Sequence, residues 1–193
     1  ATVDKDDYNY SNSKAILVTS IQTIVNGHSY FGMREAGNYP IGSIIIDDVH
    51  ACMDKIIDQF MIKIDAETDA YKELIALFNS SLKDYNPKNY IDVVEMKDCR
   101  NNILVPYWEW QRQQDNIYRI LTKYNNSDNT SIYFGLPLIE RCLETCDCII
   151  TASAIEISPK GIDLDKISSL EEASRRIYMS ATLADDSVFE ALI

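Results

Sequence analysis

No uninterrupted apolar stretch in this 193-residue chain approaches the roughly 20 residues needed to cross a bilayer. The opening residues show no basic segment followed by an apolar one, the pattern of a secretory signal. Cysteine is scarce: five residues, odd in number and irregularly spaced, which suits reduced thiols rather than a disulfide framework. The expected location is therefore cytoplasmic, with no membrane partner. Zinc-ligand spacings and nucleophilic triads find no support either. Basic residues are outnumbered, 18 Lys and Arg against 30 Asp and Glu, for a net charge of −12. Proteins that neutralise phosphates are usually basic on at least one face, so the chain by itself is expected to bind nucleic acid weakly.

A phosphate-binding loop is also missing. Such a loop needs Gly-x-x-x-x-Gly-Lys-Ser/Thr at a strand-to-helix turn, so that backbone N–H groups and a lysine meet the phosphates. Gly27, Gly32, Gly37 and Gly42 recur five apart, but Met33, Asn38 and Ser43 follow the last three where lysine would be required. Those glycines read as turn residues instead.

What is present is an α/β pattern. Lys14–Thr19 reads as a buried strand, followed by a short helix over Ser20–Val25. Asn26–Gly42, rich in Gly, Asn and Pro, reads as a loop. Ser43–Asp47 is a second strand, whose near-continuous apolar run suits a parallel sheet covered on both faces. Helical patterning then dominates. Cys52, Ile56, Ile57 and Phe60 recur at helical spacing. Tyr71, Leu74, Ile75, Leu77, Phe78 and Leu82 form one stripe, with Asp65, Thr68 or Asp69 as caps. Pro87 suits a helix first turn. Trp108–Tyr124 predicts one helix with Trp110, Ile117, Leu121 and Tyr124 inward, and Pro137–Cys146 predicts another. Cys148–Ala152 and Arg176–Ser180 return to strand character. Asp185 or Asp186 caps a closing helix through Ile193.

Chemistry concentrates at the end of the second strand. Ile44-Ile45-Ile46 runs into Asp47, Asp48, Val49 and His50. Acids at a strand end can hold magnesium, which keeps several waters and takes one or two carboxylates. A second carboxylate can orient a water, and a histidine can link the site to a neighbouring strand. Far downstream, Met179 leads into Ser180, Ala181, Thr182 and Leu183, whose hydroxyls both donate and accept. Taken singly, each segment reads equally as a strand end that caps a helix.

In this order the two segments resemble motifs II and III of superfamily-two DEAD/DEAH-type helicases. The resemblance implies a partial RecA-like parallel sheet. It assigns Asp47 to magnesium, Asp48 to positioning the attacking water, and His50 to coupling with Ser180, Ala181 and Thr182. The family has glutamate at the position of Asp48. Aspartate is shorter by one methylene, about 1.5 Å, and a misplacement of about 1 Å at a reacting centre can cost on the order of a hundredfold in rate.

Ile16 to Gln22 is similar to the strand and turn that precede motif II in XPD/DinG-like helicases. That similarity makes Thr19 and Ser20 candidates for nucleic-acid backbone contacts. Asp48 and Ser180 stand about 130 positions apart, and members of that branch carry a helical insertion, the arch, between the same motifs. The resemblance therefore implies a motor lobe over 1–52 and 148–193, and a mostly helical, arch-like insertion over 53–147. It implies ATP, Mg2+ and a nucleic-acid partner, DNA favoured over RNA. The phosphate-binding loop and a second RecA-like lobe are expected elsewhere in a longer protein, and this chain alone is expected to be inactive. The competing expectation is a non-catalytic interaction or regulatory module derived from a helicase lobe.

Two lesser patterns complete the inventory. Cys142, Cys146 and Cys148 form a thiol series that reads as core packing rather than an iron–sulfur site. Trp108-Glu109-Trp110 reads as core or interface anchors, or as a base-stacking surface.

Overall fold

The computed structural model describes residues 16–32, 41–162 and 167–181. In chain order these give helix α1 (Ile21–Ile24), strand β1 (Ser43–Ile46) and helix α2 (Val49–Gln59). Next come β2 (Ile62–Asp65), α3 (Asp69–Tyr85), α4 (Pro87–Tyr90), β3 (Asn102–Leu104), α5 (Tyr107–Arg112), α6 (Gln114–Lys123) and α7 (Thr130–Ile139). Strands β4 (Asp147–Thr151) and β5 (Ala154–Ser158), helix α8 (Ser168–Glu171) and strand β6 (Arg175–Tyr178) follow. The chain is a mixed α/β protein that forms two compact units, Ala1–Asp58 with Asp163–Ile193, and Gln59–Ile162. No helix among the described residues is long and apolar enough to cross a membrane.

The first unit is built on a parallel pair, β1 with β6, in the register Ser43↔Arg175 to Ile46↔Tyr178. Ile44 and Ile46 are buried, as are Val25, Phe31, Val49 and Ile56 of the same unit. The opposite face is open: Ile45 and its register partner Ile177 are 63% and 48% exposed. Coverage on both faces, expected from the apolar run, is therefore not met among the described residues. Ile16–Ser20 carries no ladder, so the first expected strand does not join this sheet there; Lys14 lies outside the described residues, as does the expected closing helix.

The second unit holds a four-stranded antiparallel sheet in the order β2-β5-β4-β3. Helices supply most of its regular structure, but three of its strands were not anticipated. Cys148–Ala152 was expected beside the motor strands; β4 instead pairs antiparallel with β3 and β5. Alternation drives the pairing. Ile62 and Ile64 of β2 are buried while Lys63 and Asp65 are exposed, and Lys63 faces Glu156 in register with an ion pair at 3.4 Å.

Local chemistry sets the helix ends. Thr68 caps α3, its hydroxyl accepting from the Tyr71 N–H at 3.2 Å. Asn86 ends α3, and its side chain caps α4, where Pro87 takes the first turn. The single helix expected over Trp108–Tyr124 is broken at Gln113 into α5 and α6. The helix expected over Pro137–Cys146 is displaced: α7 ends at Ile139, and a 3-10 segment covers Glu140–Thr145. Helix α7 lies close on β2, because Gly135 leaves no room for a side chain. A Cβ there would stand 2.9 Å from Ile62 Cγ1.

Candidate functional site

The site lies at the carboxyl end of the parallel pair in the first unit. Strand β1 stops at Ile46, and α2 starts at Val49, so Asp47 and Asp48 must turn the chain within two residues. Asp48 does so with φ of +49°, the left-handed region that Asp and Asn tolerate better than other non-glycine residues. The Asp48 N–H donates to Asp47 Oδ1 at 3.0 Å. Both acids are exposed.

Strand β6 is stitched to this turn beyond its own end. The Met179 N–H donates to the Ile46 carbonyl at 2.9 Å, and the Val49 N–H donates to the Met179 carbonyl at 3.0 Å. The second bond satisfies one of the N–H groups that every helix start leaves without an intrahelical partner. The stitching carries Ser180 to His50, with Nδ1 and Oγ 2.9 Å apart across 130 positions of sequence. Ser180 Oγ can donate to a neutral ring nitrogen or accept from a protonated one.

Of the residues singled out in the sequence, Asp47, Asp48, His50 and Ser180 thus come together at one sheet end. Ala181 follows, exposed, and Thr182 lies outside the described residues. Thr19 is half-buried and lines, with Leu17, Ile44, Ile46, Asp47 and Cys52, a cavity of about 720 Å³. Among the described residues, no Lys or Arg lines that cavity. Ser20 stands at the N-cap of α1 but makes no side-chain cap bond there. Its hydroxyl meets Thr23 Oγ1 at 3.1 Å.

Cys52 was read only as part of a helical stripe, yet it belongs to this turn. Its thiol donates to the Asp47 carbonyl at 3.3 Å, and burial, then Asp48 and Asp47, push its pKa above the ordinary thiol value. The spacing carried the signal: position 52 is one helical turn beyond Asp48, on the same side.

Two exposed carboxylates at a strand end fit magnesium, which needs only one or two protein carboxylates when water and phosphate oxygens fill the remaining positions. Among the described residues, no group of three or more His, Cys, Asp or Glu could hold a metal ion unaided. The thiol series is core in part: Cys146 and Cys148 are buried, and burial, then Cys146, raises the Cys148 thiol far above its usual range.

No protein-family model, characterised protein or solved structure matches this chain.

Proposed function

We propose that this chain is part of the motor lobe of an ATP-dependent nucleic-acid helicase or translocase of the XPD/DinG-like type, its parallel pair belonging to a RecA-like sheet. The observation that carries the reading is the 2.9 Å approach of His50 Nδ1 to Ser180 Oγ. Proximity of these two segments is what a motor needs if hydrolysis at one strand end is to be felt at the next.

In this reading Asp47 would hold Mg2+ and Asp48 would position the attacking water. ATP and Mg2+ supply the phosphoryl chemistry when bound. His50 and Ser180 link the two strand ends, and Val49 and Met179 hold that link in register. Thr19 and Ser20 contact the nucleic-acid backbone, DNA favoured over RNA, and the insertion expected over 53–147 is read as the unit Gln59–Ile162. Location in the cytoplasm follows from the same reading. The exposed Ile45 and Ile177 support a sheet completed by further parts of a longer protein, since parallel sheets are covered on both faces. Those parts would include a phosphate-binding loop and a second lobe.

The purified chain should hydrolyse no ATP, because its sequence has no phosphate-binding loop and no lysine or arginine among the described residues lines the cavity beside Asp47. In the complete protein, Asp47→Asn should abolish nucleic-acid-stimulated ATPase. Unchanged turnover in that variant would sink the assignment.

A second reading is a non-catalytic module that keeps the lobe as a scaffold. Asp48 in place of glutamate and the net charge of −12 favour it. Asp48→Glu in the complete protein separates the two. A motor gains or keeps ATPase activity, whereas a scaffold shows none in either form.

A further inference from the structure

The two tryptophans of Trp108-Glu109-Trp110 have opposite fates. Trp110 is 1% exposed, stacked 6.1 Å from Phe78, with Nε1 donating to the Leu143 carbonyl at 2.8 Å. Trp108 is 60% exposed. It meets the ring of Tyr85, 56% exposed, edge-on at 5.4 Å. The adjacent Tyr107 is 66% exposed, and Lys160 Nζ lies 5.9 Å from its ring centre. Arg112 stands one helical turn beyond Trp108, on the same side of α5. Three exposed aromatic side chains thus lie on or against α5, Tyr85 in contact with Trp108 and Tyr107 next to it in sequence, with Lys160 near Tyr107 and Arg112 one turn beyond Trp108.

Core packing does not explain these three side chains, since each residue is more than half exposed. The acids beside the two cations are already engaged. Glu109 is 2% exposed and paired with Arg112 at 2.5 Å, and Asp147 is paired with Lys160 at 3.7 Å. Both cations remain more than half exposed; the Lys160–Asp147 pair is exposed on both sides and therefore weak, whereas Glu109 is buried beneath Arg112. Arg112 uses Nη2 for Glu109 and Ser81, and its Nη1 and Nε make no hydrogen bond among the described residues. A phosphate can therefore be added without breaking the existing contacts. The unit Gln59–Ile162 also carries less excess acid, with 11 basic and 15 acidic residues against 7 and 15 in the other unit.

We propose that Tyr85, Tyr107 and Trp108 form a stacking platform for unpaired bases of single-stranded nucleic acid, with Arg112 and Lys160 taking the flanking phosphates. Bases offer a π face whatever their identity, so such a platform is sequence-tolerant. Two phosphate contacts on a single strand give a shallow dependence of binding on salt, a log–log slope of about −1.4. This platform stands on these aromatic side chains alone and does not depend on the His50–Ser180 site.

The test is titration of the full chain with dye-labelled oligo(dT) and oligo(U) 15-mers, with a 15-bp duplex beside them. Tryptophan quenching is read alongside anisotropy, and circular dichroism checks each variant. Binding of single strands over duplex is expected, with quenching lost in Trp108→Phe while most affinity is kept. Trp108→Ala should weaken binding about tenfold or more. Arg112→Gln with Lys160→Gln should flatten the salt slope to near zero. Tyr118→Ala, an exposed aromatic outside this group, should bind like the parent. Preference between the two oligomers tells DNA from RNA. No binding by the parent, equal binding of duplex, or unchanged affinity in Trp108→Ala overturns the proposal and leaves these rings to a protein partner. Loss of ATPase in Asp47→Asn of the complete protein is read separately, so either proposal can fail without the other.

Discussion

His50 and Ser180 are held 2.9 Å apart by a backbone zipper rather than by their own bond. The ladder of β1 and β6 runs on through Met179 into the first N–H of α2. The side-chain pair is partly solvated, so its own energy is small, while the zipper fixes the geometry. A contact of this kind can be exchanged without unfolding the strands around it.

A double-mutant cycle on His50→Ala and Ser180→Ala should show this. Each single variant is expected to lose under about 1 kcal/mol of stability, with a coupling energy near 0.5 kcal/mol. Urea denaturation of the chain measures it. Strict additivity would mean that the two side chains merely sit near one another.

Asp48 offers a separation of backbone from carboxylate. Its φ of +49° should make Asp48→Asn and Asp48→Gly close to neutral for stability. Asp48→Val should cost on the order of 1–2 kcal/mol, because a β-branched side chain is strained there. Equal melting midpoints for the Asn and Val variants would argue against a left-handed turn at this position.

Gly135 should not accept a methyl group. A Cβ 2.9 Å from Ile62 Cγ1 makes Gly135→Ala overpacked, with an expected loss of about 1–3 kcal/mol. Adding Ile62→Ala should cost less than the sum of the two single changes, since both act on one contact. Thermal melts of the four proteins test the pair.

The tryptophans predict an asymmetric response. Trp110→Ala empties a buried site and leaves the Leu143 carbonyl without its donor, at an expected cost of about 3–5 kcal/mol. Trp108→Ala removes an exposed ring and should cost under about 1 kcal/mol. Similar losses would contradict the burial difference.

Acid should weaken the second unit. Hydrogen bonds from Arg100 hold the Asp98 carboxyl down to about 2. Bonds from Lys72 lower Asp69, and bonds from Lys123 and Tyr124 lower Glu73. Burial works against Glu109, but Arg112, Ser81 and Gln113 together hold it below its usual value. A depressed carboxyl stabilises the fold above its unfolded value, near 4, and that contribution is lost as pH falls through the folded value. Stability should therefore drop between about pH 4 and pH 2. Asp98→Asn should lose less over that interval than the parent, as read from urea midpoints.

Much of the framework was legible along the chain. The apolar run Ile44–Ile46 marks β1, and the stripe from Tyr71 to Leu82 marks α3 with Thr68 among its caps. Each rests on near neighbours, and periodicity and capping are properties of consecutive residues. The pairing of β1 with β6 was expected because the two segments look like parts of one known arrangement, not because either encodes the other.

Tertiary structure decided the rest. Cys148–Ile150 is as apolar as a motor strand, and nothing local states that its neighbours are β3 and β5. Strands β2 and β3 are too short for alternation to be told from chance. Trp108 and Trp110 occupy the same short helix two positions apart, and only the elements packed against α5 choose which is buried. The approach of Ser180 to His50 exists because β6 docks beside β1. Burial, pairing and strain belong to contacts between distant segments, and a sequence read along its length supplies those contacts only after it has folded.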